Sequence, residues 1–222
     1  MNSLIKVTLA KDVEESKLKF PLIVQCKIDG TRSIVQNGKL YARSLKQHEN
    51  KFVTQQYSNS LFNGLDGEMI LGDNPAAPGL CRNTSSALRT IEGEPVSTFW
   101  CFDYITEETK NLEYYNRYAR LTNKVLELNN LGYNFIKLVP SYSAASLSEY
   151  QYLRDSFLEQ GYEGCIIRDP KAKYKQGRSS SVKPELWRYK PWSTSEIIVT
   201  RLVEEMQNNN QAKVNELGRT VS

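Results

Sequence analysis

Short apolar runs, each closed by turn residues, recur along the chain and predict a largely stranded protein. Strands are predicted at residues 22–28, 32–35, 39–44, 65–71, 97–105, 163–168, 186–190 and 196–203. Asp29-Gly30 is a turn signal of the hairpin type after the first run, and Asn37-Gly38 is predicted to join the second run to the third. The polar stretch 206–211 is expected to form a hairpin tip or a frayed tail.

Two longer segments carry the three- to four-residue spacing of an amphipathic helix. The first covers residues 111–130 and the second residues 147–160, and a glycine follows each of them. Their apolar faces consist of Tyr114, Tyr118, Leu121, Val125 and Leu128 in the first and Tyr150, Leu153 and Phe157 in the second. Ser146 and Glu149 have the spacing of a capping box. Residues 78–92 are predicted to contain a shorter helix.

The order of these elements favours a fold of the α+β class. Strands and helices are mixed without the regular alternation of a doubly wound sheet. The 222 residues, 40% hydrophobic and 24% charged, are enough for one large domain or two small ones. No apolar stretch approaches the ~18 residues of a membrane span, and residues 1–10 lack the pattern of a signal peptide. A cytoplasmic protein with no membrane partner is therefore expected.

The cysteines, the histidine and the net charge limit the kinds of site and partner that the protein can have. Cys26, Cys81, Cys101 and Cys165 lie far apart without Cys-x-x-Cys spacing, so we expect reduced, packed thiols. A histidine-dependent mechanism or zinc site would rest on His48 alone. The formal net charge of +4 permits a polyanionic partner without requiring one.

Several short clusters of charged residues and glycine lie at the ends of predicted strands. They are Lys27-Ile28-Asp29-Gly30-Thr31-Arg32, Leu65-Asp66-Gly67-Glu68 and Glu163-Gly164-Cys165-Ile166-Ile167-Arg168. In the stretch 187–192, aromatic and basic residues alternate, which places Arg188 and Lys190 on one face of a strand. Each cluster alone is ordinary, since Asp-Gly is a common turn and a basic strand face is usually solvated. Their joint occurrence is informative.

Together these clusters resemble the motifs of the covalent nucleotidyltransferases: ATP-dependent DNA ligases, RNA ligases and messenger-RNA capping enzymes. Segment 27–32 is similar to their nucleotidyl-acceptor motif, Lys-x-Asp-Gly-x-Arg. The later clusters, together with Phe102-Asp103-Tyr104, follow in the family's order within residues 20–192. Residues 167–179 resemble the small phage-type ATP-dependent DNA ligases, and capping enzymes are less similar. The resemblance implies an adenylation domain of antiparallel sheets flanked by helices.

The resemblance also sets an expectation for the domains. Residues 1–192 would form the adenylation domain, and residues 193–222 would begin an OB-fold, a domain of five strands. Too few residues follow Lys190 for five strands, so the chain is expected to be a fragment or an unusually short ligase, and a fragment is favoured. Arg188-Tyr189-Lys190 is similar to the last of these motifs, which usually reads Lys-x-Lys, whereas an arginine stands first here. A planar guanidinium binds phosphate with a different geometry from an ammonium group.

Lys27 is the nucleophile that the resemblance implies. It would attack the α-phosphorus of ATP, form lysyl-AMP and release pyrophosphate. An ordinary lysine, with a pKa of ~10.4, is almost fully protonated at pH 7 and unreactive. A nearby carboxylate favours the ammonium form, whereas a divalent cation between carboxylates favours the neutral amine. Mg²⁺ is therefore expected, with Glu163 as a ligand and Asp29 as a ligand or a lysine-positioning residue.

Other candidate residues are assigned to ATP by the same resemblance. Arg32 and Glu68 would bind the ribose hydroxyls. Phe102 would stack on adenine, with a core aromatic as its alternative role. Arg188 and Lys190 would bind the β- and γ-phosphates as pyrophosphate leaves, which makes Lys190 a catalytic candidate as well.

The polynucleotide would bind beside the nucleotide. Arg43, a further candidate, would bind a 5′-phosphate through bidentate hydrogen bonds. A basic loop is expected either to contact a nucleic-acid backbone or to be solvated, and it contains Lys171, Lys173, Lys175, Arg178 and Lys183. The implied protein is a monomeric DNA ligase that transfers AMP to the 5′-phosphate of nicked duplex DNA and joins it to the 3′-hydroxyl. An RNA ligase, a capping guanylyltransferase and a silent nucleic-acid-binding fragment remain as alternatives.

Overall fold

The computed structural model describes residues 4–179, 185–192, 196–202 and 204, together with two short strands near the C-terminus. Contacts between residues divide the chain into two units, Met1–Pro191 and Trp192–Ser222. In the larger unit, the described residues form two five-stranded sheets and four α-helices.

The elements of the larger unit follow one another along the chain. Its strands are β1 (Thr8–Leu9), β2 (Lys11–Asp12), β3 (Leu22–Lys27), β4 (Thr31–Gln36), β5 (Lys39–Ala42), β6 (Leu65–Leu71), β7 (Ser97–Tyr104), β8 (Ile136–Leu138), β9 (Tyr142–Ala144), β10 (Gly164–Arg168), β11 (Gly177–Arg178) and β12 (Leu186–Tyr189). Its helices are α1 (Lys51–Tyr57), α2 (Leu80–Arg89), α3 (Tyr114–Asn130) and α4 (Leu147–Glu159). In the smaller unit, β13 (Lys213–Val214) pairs antiparallel with β14 (Thr220–Val221).

Two sheets organise the larger unit. The first sheet has the strand order β2-β12-β10-β3-β9, and the second sheet has the order β5-β4-β6-β7-β8. Neighbouring strands are antiparallel except in the pairs β2–β12 and β7–β8. Strand β1 pairs separately and in parallel with β11. The predicted α+β class, with antiparallel-rich sheets flanked by helices, is confirmed.

Each sheet buries one face under a predicted amphipathic helix. Helix α3 packs on β7 and β8 of the second sheet, and α4 packs on β3 and β10 of the first. The apolar faces predicted from the residue spacing are buried or partly buried in both helices. Ser146 caps α4 by accepting a hydrogen bond from the backbone N–H of Glu149 at 3.3 Å. The 3.6-residue periodicity therefore identified both helices and the side that each one buries.

The Asn37-Gly38 turn forms the hairpin that its sequence predicts. It joins β4 to β5 with Gln36 opposite Lys39, which leaves two residues in the loop. Both loop residues have positive φ angles, +52° for Asn37 and +70° for Gly38. Asparagine and glycine tolerate this left-handed backbone better than other residues do.

The hairpin expected at Asp29-Gly30 is wrong. Strand β3 belongs to the first sheet and β4 to the second, so the chain crosses between the sheets here. Gly30 passes close to β6, and a Cβ atom at this position would lie 2.3 Å from the carbonyl oxygen of Met69. Glycine is therefore required by the close approach of two backbones at the crossing.

The predicted strand at 196–203 is also wrong for residues 196–202, which have no regular structure. A β-branched, apolar run forms a strand only where another strand offers it an edge. Residue 203 and the stretch 206–211 lie outside the described residues. The remaining predicted helices and strands agree with the structure to within a few residues at each end.

The cysteines are free thiols, as predicted, and three of them are buried. Burial raises the pKa of Cys26 to about 11 and that of Cys165 to about 12. Such thiols are poor nucleophiles at neutral pH. Within the described part of the chain, no helix has the length and apolar character needed to cross a bilayer.

The core of the second sheet gives a stability test. Phe99 is fully buried and packs edge-to-face on Tyr57, with ring centroids 6.1 Å apart. We expect Phe99→Ala to lower the free energy of unfolding by ~3–5 kcal/mol, because it leaves a cavity. The control is Tyr152→Ala, at a side chain that is 75% exposed. It should change the free energy of unfolding by ~0.5 kcal/mol or less. Equal losses in urea unfolding would contradict this packing.

Candidate active site

A cleft between the two sheets contains most of the predicted site residues. Its lining from the first sheet includes Gln25, Lys27, Ile166, Arg168 and Arg188, and its lining from the second sheet includes Arg32, Glu68 and Phe102. Arg43, which follows β5, also lines it. The cleft thus has apolar walls and several cationic groups, which is a suitable composition for an aromatic base attached to phosphates.

A carboxylate between two lysines lies at one end of this cleft. Glu163 accepts hydrogen bonds from Lys27 through Oε2 and from Lys190 through Oε1, the latter at 2.5 Å. The side chain of Glu163 is only 13% exposed. The strand pairing explains the cluster, since β10 runs antiparallel between β3 and β12 and pairs Gly164 with Lys27.

Gly164 is needed for this arrangement. Its φ is +155°, and a Cβ atom there would lie 2.0 Å from the carbonyl oxygen of Tyr189. Any larger residue would push β12 away from β10 and move Lys190 away from Glu163. The Glu-Gly dipeptide therefore supplies the carboxylate and the close strand approach together.

Two carboxyl groups of the cluster differ in their electrostatics. Burial, and then the charge of Glu163, raise the pKa of Asp29. Burial alone would raise the pKa of Glu163, but the hydrogen bonds from Lys190 and Lys27 outweigh it and lower that pKa. The hydrogen bond between Lys190 and Glu163 also raises the pKa of Lys190. Glu163 is therefore an anion that accepts hydrogen bonds from both neighbouring lysines.

These residues fit a magnesium ion only in combination with a nucleotide. Asp29 and Glu163 interact directly, and no cluster of three or more acidic, histidine or cysteine ligands exists among the described residues. Mg²⁺ usually binds one or two carboxylates and takes its other ligands from phosphates and water. The donor set matches that pattern.

Arg32 is fixed by a residue that was not predicted as part of the site. Its Nε and Nη2 donate to the two carboxylate oxygens of Asp66 at 2.7 and 2.8 Å. Its guanidinium lies over the ring of Phe102, with Cζ 4.3 Å from the ring centroid. Glu68 lies directly opposite Arg32 in the β4–β6 register. The strand register thus brings the predicted ribose pair together beside the aromatic ring.

Glu68 has an unusual pKa for a glutamate. Burial raises it to about 7, although the positive charges of Arg32 and Lys27 act in the opposite direction. The group is therefore a mixture of carboxylic acid and carboxylate at neutral pH. Its acceptor strength toward a hydroxyl changes across the physiological range.

Two exposed arginines that line the cleft, Arg43 and Arg188, differ in their surroundings. Arg188 donates through Nε to Asp12 at 2.7 Å, and Asp12 lies opposite it in the β2–β12 register. Arg43 lines the cleft from an exposed position. As predicted for β12, Trp187 is buried while Arg188 and Lys190 are exposed.

A buried network of charges below the cleft was not predicted. Asp103 accepts two hydrogen bonds from Arg117, at 2.8 and 3.0 Å, and one from Arg168 at 3.4 Å. Arg168 in turn donates to the side chain of Gln25 at 3.1 Å. One signal for it existed in the sequence, because Arg117 occurs within the apolar face of α3 and a buried arginine requires a buried acid.

The basic loop is described up to residue 179, and Lys183 lies outside the described residues. Residues 169–179 are called the basic segment below. Lys171, Lys173 and Arg178 are exposed on it, and Lys175 lies 4.0 Å from Glu185. Its exposed cations are available to a polyanion.

The nine candidate residues named from the sequence therefore lie in or beside one cleft. They are Lys27, Asp29, Arg32, Arg43, Glu68, Phe102, Glu163, Arg188 and Lys190. Their roles in a reaction remain predictions.

A family model and curated relatives both identify DNA ligases as the proteins that this chain resembles. The family model described as the ATP-dependent DNA ligase domain matches residues 6–190. A DNA ligase of African swine fever virus (strain Badajoz 1971 Vero-adapted) is 28% identical over 195 residues, which cover 80% of this chain and 43% of that protein. This chain thus spans less than half the length of the curated relatives that it matches.

Solved structures of ligases share the fold. The crystal structure of the Chlorella virus DNA ligase-adenylate is 27% identical and has a TM-score of 0.71, over 85% of this chain and 69% of that one. The bacteriophage T7 ATP-dependent DNA ligase in complex with ATP has a TM-score of 0.65 over 97% of this chain and 80% of that one. Its 19% identity supports the fold alone. Given the match over residues 6–190, the chain belongs to the ATP-dependent DNA ligase family.

Proposed function

We propose that this chain performs the nucleotidyl transfer of a DNA ligase, with Lys27 as the nucleophile. The observation that carries the proposal is the position of the Lys27 amine, at the end of the cleft and hydrogen-bonded to Glu163. The lone pair of the neutral amine attacks the α-phosphorus of ATP. A phosphorus–nitrogen bond forms, the bond to the bridging oxygen breaks, and pyrophosphate leaves.

The remaining groups of the cleft bind the parts of ATP. Arg32 and Glu68 hold the ribose hydroxyls, since they provide a donor and an acceptor on adjacent strands. Phe102 and Ile166, which line the cleft from opposite sheets, contact the adenine. Arg188 and Lys190 bind the β- and γ-phosphates and stabilise the charge of the leaving pyrophosphate.

Lys27 must lose a proton before it attacks, and positive charge nearby favours that loss. Asp29 and Glu163 would hold Mg²⁺ together with the phosphates of ATP. When bound there, Mg²⁺ supplies positive charge that favours the neutral amine and neutralises phosphate oxygens.

The second substrate is proposed to be nicked duplex DNA. The named relatives are DNA ligases, and exposed cations of the basic segment can neutralise backbone phosphates. Arg43 would bind the 5′-phosphate that accepts AMP, before the 3′-hydroxyl attacks and AMP leaves. We further propose that the protein acts as a monomer in a reducing compartment such as the cytoplasm, where its free thiols persist.

Covalent labelling tests the nucleotidyl transfer. Incubated with Mg²⁺ and ATP labelled at the α-phosphate, the protein should acquire one acid-labile AMP, and Lys27→Ala should acquire none. Chelation of Mg²⁺ should abolish the label, and labelled GTP should give much less. An unlabelled wild-type chain would contradict the enzyme proposal, and label on Lys27→Ala would exclude this nucleophile.

The pKa of Glu68 leads to a pH dependence. Below pH 7 Glu68 is mostly protonated, and above it the carboxylate accepts ribose hydroxyls better. We expect the KM for ATP in self-labelling to fall by up to about tenfold between pH 6 and pH 8. Glu68→Gln is the control, because it removes the titrating carboxyl group while the phosphates of ATP still titrate as they do with the wild type. If the variant shows the same pH profile as the wild type, Glu68 does not control ribose binding.

A substitution of Arg43 distinguishes AMP transfer to DNA from the labelling of Lys27. Arg43→Ala should reduce AMP transfer to the 5′-phosphate of nicked DNA by roughly 10- to 100-fold, because a charged hydrogen bond is lost. It should leave the labelling of Lys27 unchanged. Lys46→Ala, at an exposed lysine of the same loop, is the matched control. Faster transfer to broken RNA than to nicked DNA would instead favour the RNA ligase alternative.

A further inference from the structure

Tyr174 lies in the basic segment and has a side chain directed away from the exposed cations. Lys171 and Lys173 are exposed, while Ala172 and Tyr174 are half-buried, so the segment alternates between an outer and an inner side. The ring of Tyr174 lies beside the Arg117 guanidinium, with Cζ 5.5 Å from the ring centroid. The inner side of this segment therefore reaches the buried charge network.

The basic segment is anchored on two sides by hydrogen bonds that involve its backbone. The carbonyl oxygen of Ala172 accepts from the N–H of Tyr114 at 2.9 Å and from Nη1 of Arg117 at 3.1 Å. Farther along, Gly177 donates to the carbonyl oxygen of Val7 at 3.2 Å. Because both ends of the segment are fixed, the position of the Tyr174 ring between them is well defined.

The hydroxyl group of Tyr174 connects the segment to the nucleotide cleft. It donates to Oδ2 of Asp66 at 3.2 Å and accepts from the backbone N–H of Thr8 at 3.1 Å. Asp66 is fully buried, and both of its oxygens bind Arg32. A single buried carboxylate thus lies between the Tyr174 hydroxyl and the guanidinium over Phe102.

We propose that Tyr174 is a positioning residue for nucleotide binding, which acts through Asp66 on Arg32. The inference rests on the proposed function, in which Arg32 binds the ribose. The Tyr174 hydroxyl keeps the Asp66 carboxylate in the plane that both hydrogen bonds to Arg32 require. The segment that carries the exposed lysines thereby also sets the geometry of the nucleotide cleft.

Tyr174→Phe tests this role, because it removes only the hydroxyl group. We expect the affinity for a non-cleavable ATP analogue, measured at equilibrium with Mg²⁺ present, to fall roughly three- to tenfold. Once the variant is saturated with ATP, the rate of Lys27 labelling should stay within about twofold of the wild type, since Tyr174 does not touch the reacting atoms.

Tyr57→Phe is the matched control, since it also removes one tyrosine hydroxyl from a buried site. The hydroxyl of Tyr57 donates to the carbonyl oxygen of Ser97 at 2.8 Å in the core of the second sheet. This variant should lose stability in thermal unfolding without a change in analogue affinity. If Tyr57→Phe weakens the analogue as much as Tyr174→Phe does, or if Tyr174→Phe leaves its affinity unchanged, the positioning role is wrong.

A double-mutant cycle tests the route through Arg32. Arg32→Lys removes the planar, two-point pairing with Asp66, so adding Tyr174→Phe in that background should change the analogue affinity by less than about twofold. A full additive loss would overturn the connection. If the wild-type chain acquires no AMP but still binds the analogue, the proposed function fails, whereas the cycle still decides the role of Tyr174.

Discussion

The bridge from Glu163 to Lys27 and Lys190 is the interaction around which the candidate site is arranged. It joins the ends of three strands, because β10 begins where β3 and β12 end. A carboxylate so little exposed would be costly if it were alone. Two ammonium partners offset that cost and leave a compact cluster of charge at the end of the cleft.

The same cluster bears on the proposed transfer of AMP to Lys27, since that step requires a neutral amine. In this structure the Lys27 amine donates a hydrogen bond to Glu163. In the proposed reaction, a cation held by the carboxylates and the phosphates of ATP would reverse the sign of the local field. Reactivity at Lys27 would then depend on the arrival of the substrate, so that the free amine is not exposed to other reactions.

Buried arginine–aspartate pairs provide the second constraint. Asp66 and Asp103 are both fully buried and are neutralised by Arg32, Arg117 and Arg168. Such networks contribute little net stability compared with an apolar core, but removing one partner costs ~3–5 kcal/mol. Their main effect here is orientation, since they fix Arg32 and Arg168 at the cleft between the two sheets.

The helices, most strands, the Asn37-Gly38 hairpin and the set of candidate residues could be predicted from the amino-acid sequence, because they follow from local periodicity, turn chemistry and motif order. The sequence did not determine the crossing at Gly30 or the absence of a strand at 196–202, since both depend on which strand edges are available. Only the tertiary structure showed that Asp66 holds Arg32 and that Tyr174 reaches Asp66. Arg32 and Asp66 are 34 positions apart in the sequence, and Asp66 and Tyr174 are 108 positions apart. No local sequence pattern specifies a pairing over such separations.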